Sequence, residues 1–229
     1  MDKALDIMAL EKAHLDKKYI HRKTGSGQLL IILNTHNQGE KYFGLKQISH
    51  GIKDMDLLFL ADSNNKYYLD DDEGARYKEI IQNIISEYDV ANVSIFGTSM
   101  AGFAALHFGM LFSLNVIAIN PQIRLDTARN VAWPDLKITL STLDSQIDLI
   151  EIIKEHYNGQ PLYLVFGKHR LDLQAHNEFK SIDINEMSLV IRTVDSVEHK
   201  FFLTDLKSLS QIHELLKKNR KINEVISAV

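Results

Sequence analysis

The sequence predicts an α/β fold with a mostly parallel sheet covered by helices on both faces. Short runs of Ile, Leu and Val recur without polar interruption, as strands buried on both sides require. Segments of helical periodicity separate them, the alternation that builds a parallel sheet. The 229 residues, 45% hydrophobic, suffice for one large core, and the few Gly and Pro are dispersed rather than gathered into a linker. One domain spanning 1–229 is therefore expected.

The elements follow in order. Residues 3–17 place Leu5, Met8, Leu10 and Leu15 roughly on one helical face, which predicts an opening amphipathic helix; "KYIHRKTGSG" then reads as a strand end and a turn. "QLLIIL" (28–33) is a buried strand, and "HGIKDMDLLFLAD" ends in another at 57–60. "ARYKEIIQNIISEY" (75–88) is a helix with Ile80, Ile81, Ile84 and Ile85 inward. A strand at 93–96, an Ala-rich apolar helix at 100–112 and a strand at 114–120 come next. After Asn120 and Pro121 the rhythm breaks. Residues 122–160 hold the single Trp, Trp133, and a helix over 143–157, and read as a cap-like excursion that walls the carboxyl ends of the strands. A strand at 161–167, a helix near 173–181, a strand at 187–194 and a helix from about 204 to 218 complete the pattern.

Composition excludes several classes. The 26 basic and 30 acidic residues are mixed along the chain, so no basic stripe suits a phosphate backbone and nucleic acid is not expected as a partner. The absence of cysteine removes disulfides, thiolate nucleophiles and Cys-ligated zinc. No H-E-x-x-H or comparable ligand cluster occurs, so no metal is expected. The charged N-terminus is unlike a signal peptide and no stretch reaches the length of a membrane span, so the expected location is cytoplasmic.

Gly97-Thr98-Ser99-Met100-Ala101 fits G-x-S-x-[GA], in which a serine at a strained strand-to-helix turn lifts its hydroxyl above the sheet. Small residues two before and two after let the chain cross over itself. The alternative, Ser99 as a plain helix N-cap, would not ask for small neighbours on both sides. A serine attacks only when a base takes its proton and an acid orients that base, and in such enzymes the chain order is Ser, acid, His. The acid belongs after the strand that follows the excursion, where "LVFGKHRLD" offers Asp172, a residue that could otherwise cap the next helix. Asp195 at the end of the last strand competes for the role. The base belongs after the last strand, and of ten histidines His199 alone sits in that loop. An oxyanion hole needs two backbone N–H groups: one from Met100, the other from Thr35 or His36 in the loop after 28–33.

With these residues in place, the sequence resembles the α/β-hydrolase superfamily from about residue 28 onward, through "GTSMAG", the acid after "LVFG" and "EHKFF" before the last helix. Within it, "SIFGTSMAGFAALHFG" with "NVIAINPQ" is similar to small bacterial proteins encoded among surface-polysaccharide genes, some of them serine-dependent sugar O-acetyltransferases or esterases. The resemblance implies an α/β-hydrolase fold and acyl transfer through an acyl-enzyme on Ser99, with hydrolysis of a carboxylic ester such as an acetyl ester on a small molecule or glycan. An acetyl-CoA-dependent O-acetyltransferase of a bacterial surface polysaccharide is the alternative, with acetyl-CoA as co-substrate, no bound cofactor, and Lys168, Arg170 and Lys200 as candidates for its phosphates. A non-catalytic binding protein of the same fold is a third possibility. Unlike larger esterases, the chain lacks an HGGG-type loop and is expected to lack most of the first antiparallel strands. Trp133 is a candidate platform for a sugar ring or acyl chain, with burial in the core as the competing role.

Overall fold

The strand-forming runs assemble into one eight-stranded sheet: β1 (Glu11–His14), β2 (Lys17–Arg22), β3 (Leu29–Leu33), β4 (Asp56–Leu60), β5 (Val93–Thr98), β6 (Asn115–Ile119), β7 (Leu162–Phe166) and β8 (Leu189–Thr193). The computed structural model describes residues 7–184, 188–203 and 205–227. In space the strands run β1-β2-β4-β3-β5-β6-β7-β8, antiparallel at the first two pairings and parallel from β4 onward. Every residue of β3, β4, β5, β6 and β7 is buried, which is why these strands read as unbroken apolar runs rather than alternations.

Successive side chains of each strand enter different cores. Leu29, Ile31 and Leu33 join one apolar cluster with α2 (Ala75–Ile85), α3 (Met100–Leu111), α6 (Leu149–His156) and α7 (Arg170–Lys180). Leu30 and Ile32 join the other, beneath α1 (Leu45–Gly51) and α8 (Ser208–Ser227). Helix α3 is buried from Met100 to Met110, as its lack of a polar face predicts. The parallel strands all deliver their carboxyl ends, and the loops that follow, to one edge of the molecule.

Two expectations need correction at the N-terminus. The predicted helix over 3–17 does not form among the described residues; positions 3–6 lie outside them. Residues Ile7–Leu10 make a single 3-10 turn, followed by the β1–β2 hairpin. Met8 and Leu15 are exposed, Leu15 turning the hairpin at φ 55°, while Leu10 is half-buried and packs on the core cluster beneath α1 and α8, so Met8, Leu10 and Leu15 do not share one buried helical face. Pairing along the β4 edge, Tyr19 with Leu60 through Arg22 with Leu57, overrides the local periodicity. The same hairpin supplies the antiparallel strands that the sequence was expected to lack.

The excursion after β6 contains α4 (Leu125–Val131), α5 (Pro134–Ser141) and α6, and only part of it covers the strand ends. The helix predicted over 143–157 is shorter, beginning where Asp148 accepts from the Ile150 and Glu151 N–H groups, and it packs on α3 as a core layer. The last helix begins at Ser208 and runs to Ser227, beyond the expected end near 218; Met187 and Thr204 of the predicted elements lie outside the described residues.

Candidate active site

Ser99 joins the end of β5 to the start of α3 with φ 55° and ψ −120°, a combination that L-residues rarely adopt. Its side chain makes no capping hydrogen bond, which removes the plain N-cap reading; its N–H instead donates to Ile119 O at 2.8 Å, pinning the turn to the end of β6. A Cβ on Gly97 would fall 1.9 Å from Ala101 O, so the crossing admits only glycine there.

Three groups meet in a chain of hydrogen bonds. Ser99 Oγ lies 2.7 Å from His199 Nε2, and His199 Nδ1 is bonded to Asp172 Oδ1. A carboxylate can only accept, so Nδ1 carries the proton, Nε2 presents its lone pair, and the Ser99 hydroxyl donates to it. Asp172 sits in the first turn of α7 and is 1% exposed, while His169, not Asp172, caps that helix by accepting from the Leu171 N–H. Asp195, the competing acid, is 86% exposed at its side chain and paired with Lys168 at 2.9 Å. The structure therefore brings Asp172 to His199 and leaves Asp195 outside.

The two loops are locked from the end of β6. Asn120, buried, accepts from the Gly167 N–H at 2.9 Å and donates to Lys200 O at 2.8 Å, joining the acid-bearing loop to the histidine-bearing one. Gly167 is small for a reason: a Cβ there would stand 2.6 Å from Asp172 Oδ2 and 2.7 Å from the Phe202 ring.

On the other side of Ser99 lies the loop after β3. The Thr35 N–H donates to Gln38 Oε1 at 3.2 Å and its hydroxyl to Thr98 O at 2.8 Å, so Thr35 is committed to holding the loop. The His36 and Met100 N–H groups have no acceptor among the described residues. Asn34, fully buried, fixes this loop with its side-chain amide, donating to Gly39 O and Lys41 O and accepting from the Asp62 N–H and the Tyr68 hydroxyl.

Aromatic rings line the mouth. Trp133, half-buried, has its ring 5.3 Å from that of His199 and 6.5 Å from those of His36 and His169. The His36 ring hydrogen-bonds Thr139 Oγ1 at 2.8 Å, tying the β3 loop to α5. Burial pushes both His36 and His169 below the ordinary histidine value, so at neutral pH they act as uncharged walls. Donor atoms of His169, Asp172 and His199 lie within 4.8 Å of one another, but both nitrogens of His199 and Nδ1 of His169 are already engaged, a poor fit for a cation. A cavity of about 580 Å³ lined by Tyr157, Gln160 and Arg220 opens at the amino ends of the strands and contains none of these groups.

No protein-family model matches the sequence, and no curated protein matches it. Solved structures do. The capsule O-acetyltransferase of Neisseria meningitidis serogroup A is similar over 94% of this chain and 96% of that one, at TM-score 0.66 and 19% identity. A mutant of that enzyme in complex with CoA is similar at TM-score 0.62 and 16% identity, with the same coverage. An S-formylglutathione hydrolase from Agrobacterium tumefaciens is similar over 90% and 98% of the two chains, at TM-score 0.57 and 12% identity. The chain has the α/β-hydrolase fold.

Three polar residues around Ser99 and its neighbouring loops were not among the sequence candidates: Asn34, Asn120 and Gln122. Gln122 donates from Nε2 to Ser99 Oγ at 3.1 Å. The signal was present in "LLIILN" and "VIAINPQ", where a polar residue follows an unbroken apolar strand at its carboxyl end.

Proposed function

We propose that the protein transfers acyl groups through an ester formed on Ser99. The observation that carries this reading is the hydrogen-bonded chain from Ser99 through His199 to buried Asp172. As Oγ attacks the acyl carbonyl, its proton passes to His199 Nε2, and Asp172 stabilises the resulting imidazolium. The carbonyl oxygen becomes an oxyanion held by the Met100 and His36 N–H groups. Collapse of the adduct expels the alcohol, which takes the proton from His199 and leaves the acyl group on Oγ. Water then repeats the sequence: His199 accepts its proton, hydroxyl attacks the acyl carbonyl, and Ser99 recovers its hydrogen as the acid departs. The reading is ester hydrolysis, with an acetyl ester of a small molecule or glycan as substrate. The assembled chain speaks against a non-catalytic binding protein.

A second reading replaces water with a sugar hydroxyl and takes acetyl from acetyl-CoA. Likeness to the capsule O-acetyltransferase over nearly the whole of both chains, one form of it in complex with CoA, favours this reading. Of the three cations expected to meet the CoA phosphates, Lys168 pairs with Asp195 and Lys200 with Glu198, leaving exposed Arg170 as the cation without an ion pair among the described residues. Hydrolysis of p-nitrophenyl acetate by wild type but not Ser99→Ala tests the shared chemistry. Thiol release from acetyl-CoA that rises with added glycan separates transfer from hydrolysis.

A further inference from the structure

We propose that Gln122 is a further catalytic residue, whose side-chain N–H steadies the negative charge that develops on Ser99 Oγ while the proton moves to His199. The inference rests on the acyl-transfer reading above, and it begins from the proton inventory of the site. Asp172 obliges His199 to carry its proton on Nδ1, so the Ser99 hydroxyl donates to Nε2 and offers other neighbours only its lone pairs. Gln122, 3.1 Å from Oγ, can therefore approach it only with Nε2–H, and the orientation of its amide follows from the chemistry.

Gln122 is 1% exposed, and its Oε1 has no hydrogen-bond partner among the described residues. A side chain kept for packing would be apolar at this depth, because an amide with an unpaired carbonyl is costly to bury. The one hydrogen bond of this amide to the described residues goes to the nucleophile. Its placement is built in: Gln122 follows Asn120, whose φ of 47° turns the chain at the end of β6, and Asn120 is itself fixed to Gly167 and Lys200. The residue that joins the acid and histidine loops thus also delivers Gln122 to the serine.

The timing of this bond gives it a catalytic effect. A donor on Oγ interacts weakly with the resting hydroxyl, most strongly as the oxygen loses its proton, and weakly again once Oγ is an ester oxygen. The same strengthening recurs when the acyl-enzyme breaks down and Oγ departs before regaining its hydrogen. Such a contact lowers the barrier at both steps without tightening substrate binding, so it acts on kcat rather than KM.

The test uses Gln122→Met, which keeps length and removes the N–H, and Gln122→Glu, which places a carboxyl there. A fluorophosphonate reagent reports attack by Oγ directly, and p-nitrophenyl acetate reports turnover; thermal melting checks the fold. For Gln122→Met the expected result is a fall of about tenfold or more in both labelling rate and kcat, with KM unchanged. For Gln122→Glu, an ionised carboxylate competes for the Ser99 hydrogen, whereas a protonated one can donate as the amide does. Its rate relative to wild type should therefore climb toward one as pH falls. A folded Gln122→Met labelled within about twofold of wild type overturns the proposal. So does a Gln122→Glu ratio that stays flat with pH, and that ratio decides alone if the Met variant does not fold. Wild type that neither labels on Ser99 nor turns over ester defeats the acyl-transfer reading itself, a different outcome from a Gln122 variant that matches an active wild type.

Discussion

Replacing Asp172 with Asn changes one oxygen to an NH2 at the most enclosed point of the site. The Asp172 carboxylate accepts the His199 Nδ1 proton, and its other oxygen, buried, faces Gly167 so closely that a Cβ there would stand 2.6 Å from it. If the Asn NH2 faces His199, the imidazole must accept at Nδ1 and carry its hydrogen on Nε2. It then donates to Ser99 and cannot take the serine proton. If the Asn oxygen faces His199, the tautomer survives but the imidazolium loses its counter-charge. The first arrangement has a known magnitude in serine proteases, a loss of about 10⁴ in kcat, equivalent to about 5 kcal/mol of transition-state stabilisation. Stability should move little, because the substitution removes a buried charge rather than a packed volume. Asp195→Asn is the internal control: its exposed ion pair with Lys168 touches none of the reacting groups, and the rate should stay within about twofold of wild type. Steady-state hydrolysis of p-nitrophenyl acetate with thermal melts of all three proteins reads both effects. Asp172→Asn retaining a tenth or more of the wild-type kcat, or Asp195→Asn losing more, would refute the assignment of the acid.

Further outcomes follow from the same geometry. Gly97→Ala should destabilise the fold by about 3 kcal/mol or more and abolish serine labelling, since its Cβ would overlap the Ala101 carbonyl; an unchanged melt would mean the turn is not so constrained. Trp133→Ala should raise KM or shift acceptor preference with little change in Tm, and the fluorescence of this single Trp should respond to ligand; unfolding together with a silent fluorophore would make it a core residue. His213, buried against Ser94 and Gln28, is held down at about 4 by burial. The unfolded chain therefore binds that proton first: stability is intact above 6.5 and is lost as pH falls toward 4, by about 3 kcal/mol. His213→Gln should reduce this acid slope in thermal melts, leaving the part due to the other histidines that burial holds down, among them His107 at about 3, His21, His36, His169 and His176; equal slopes would contradict the account.

Strands buried on both faces were legible because their side chains have no solvent face to encode, as in "QLLIIL" and "PLYLVFG". The Ser99 turn was legible because its steric demands reach into the sequence as Gly97 and Ala101. The N-terminal hairpin was not, because its strand character comes from pairing with β4 rather than from its own pattern. Asp172 was preferred to Asp195 because it follows the penultimate strand, but only its burial and its contact with His199 set it apart from Asp195, which is exposed and paired with Lys168. Between Thr35 and His36 only the Gln38 side chain distinguishes, by engaging the Thr35 N–H. Gln122 was visible only as a polar residue beyond the carboxyl end of β6: nothing in "INPQ" tells which way the chain turns there, and that turn carries the amide to the serine.

The most direct test of acyl transfer on Ser99 is to trap the intermediate. Wild-type protein mixed with p-nitrophenyl acetate, quenched in acid within the first turnover and digested for mass spectrometry, should carry one acetyl group, mapped to Ser99 and absent from Ser99→Ala. Turnover with no acetyl on Ser99, or acetylation that persists unchanged in Ser99→Ala, would contradict it.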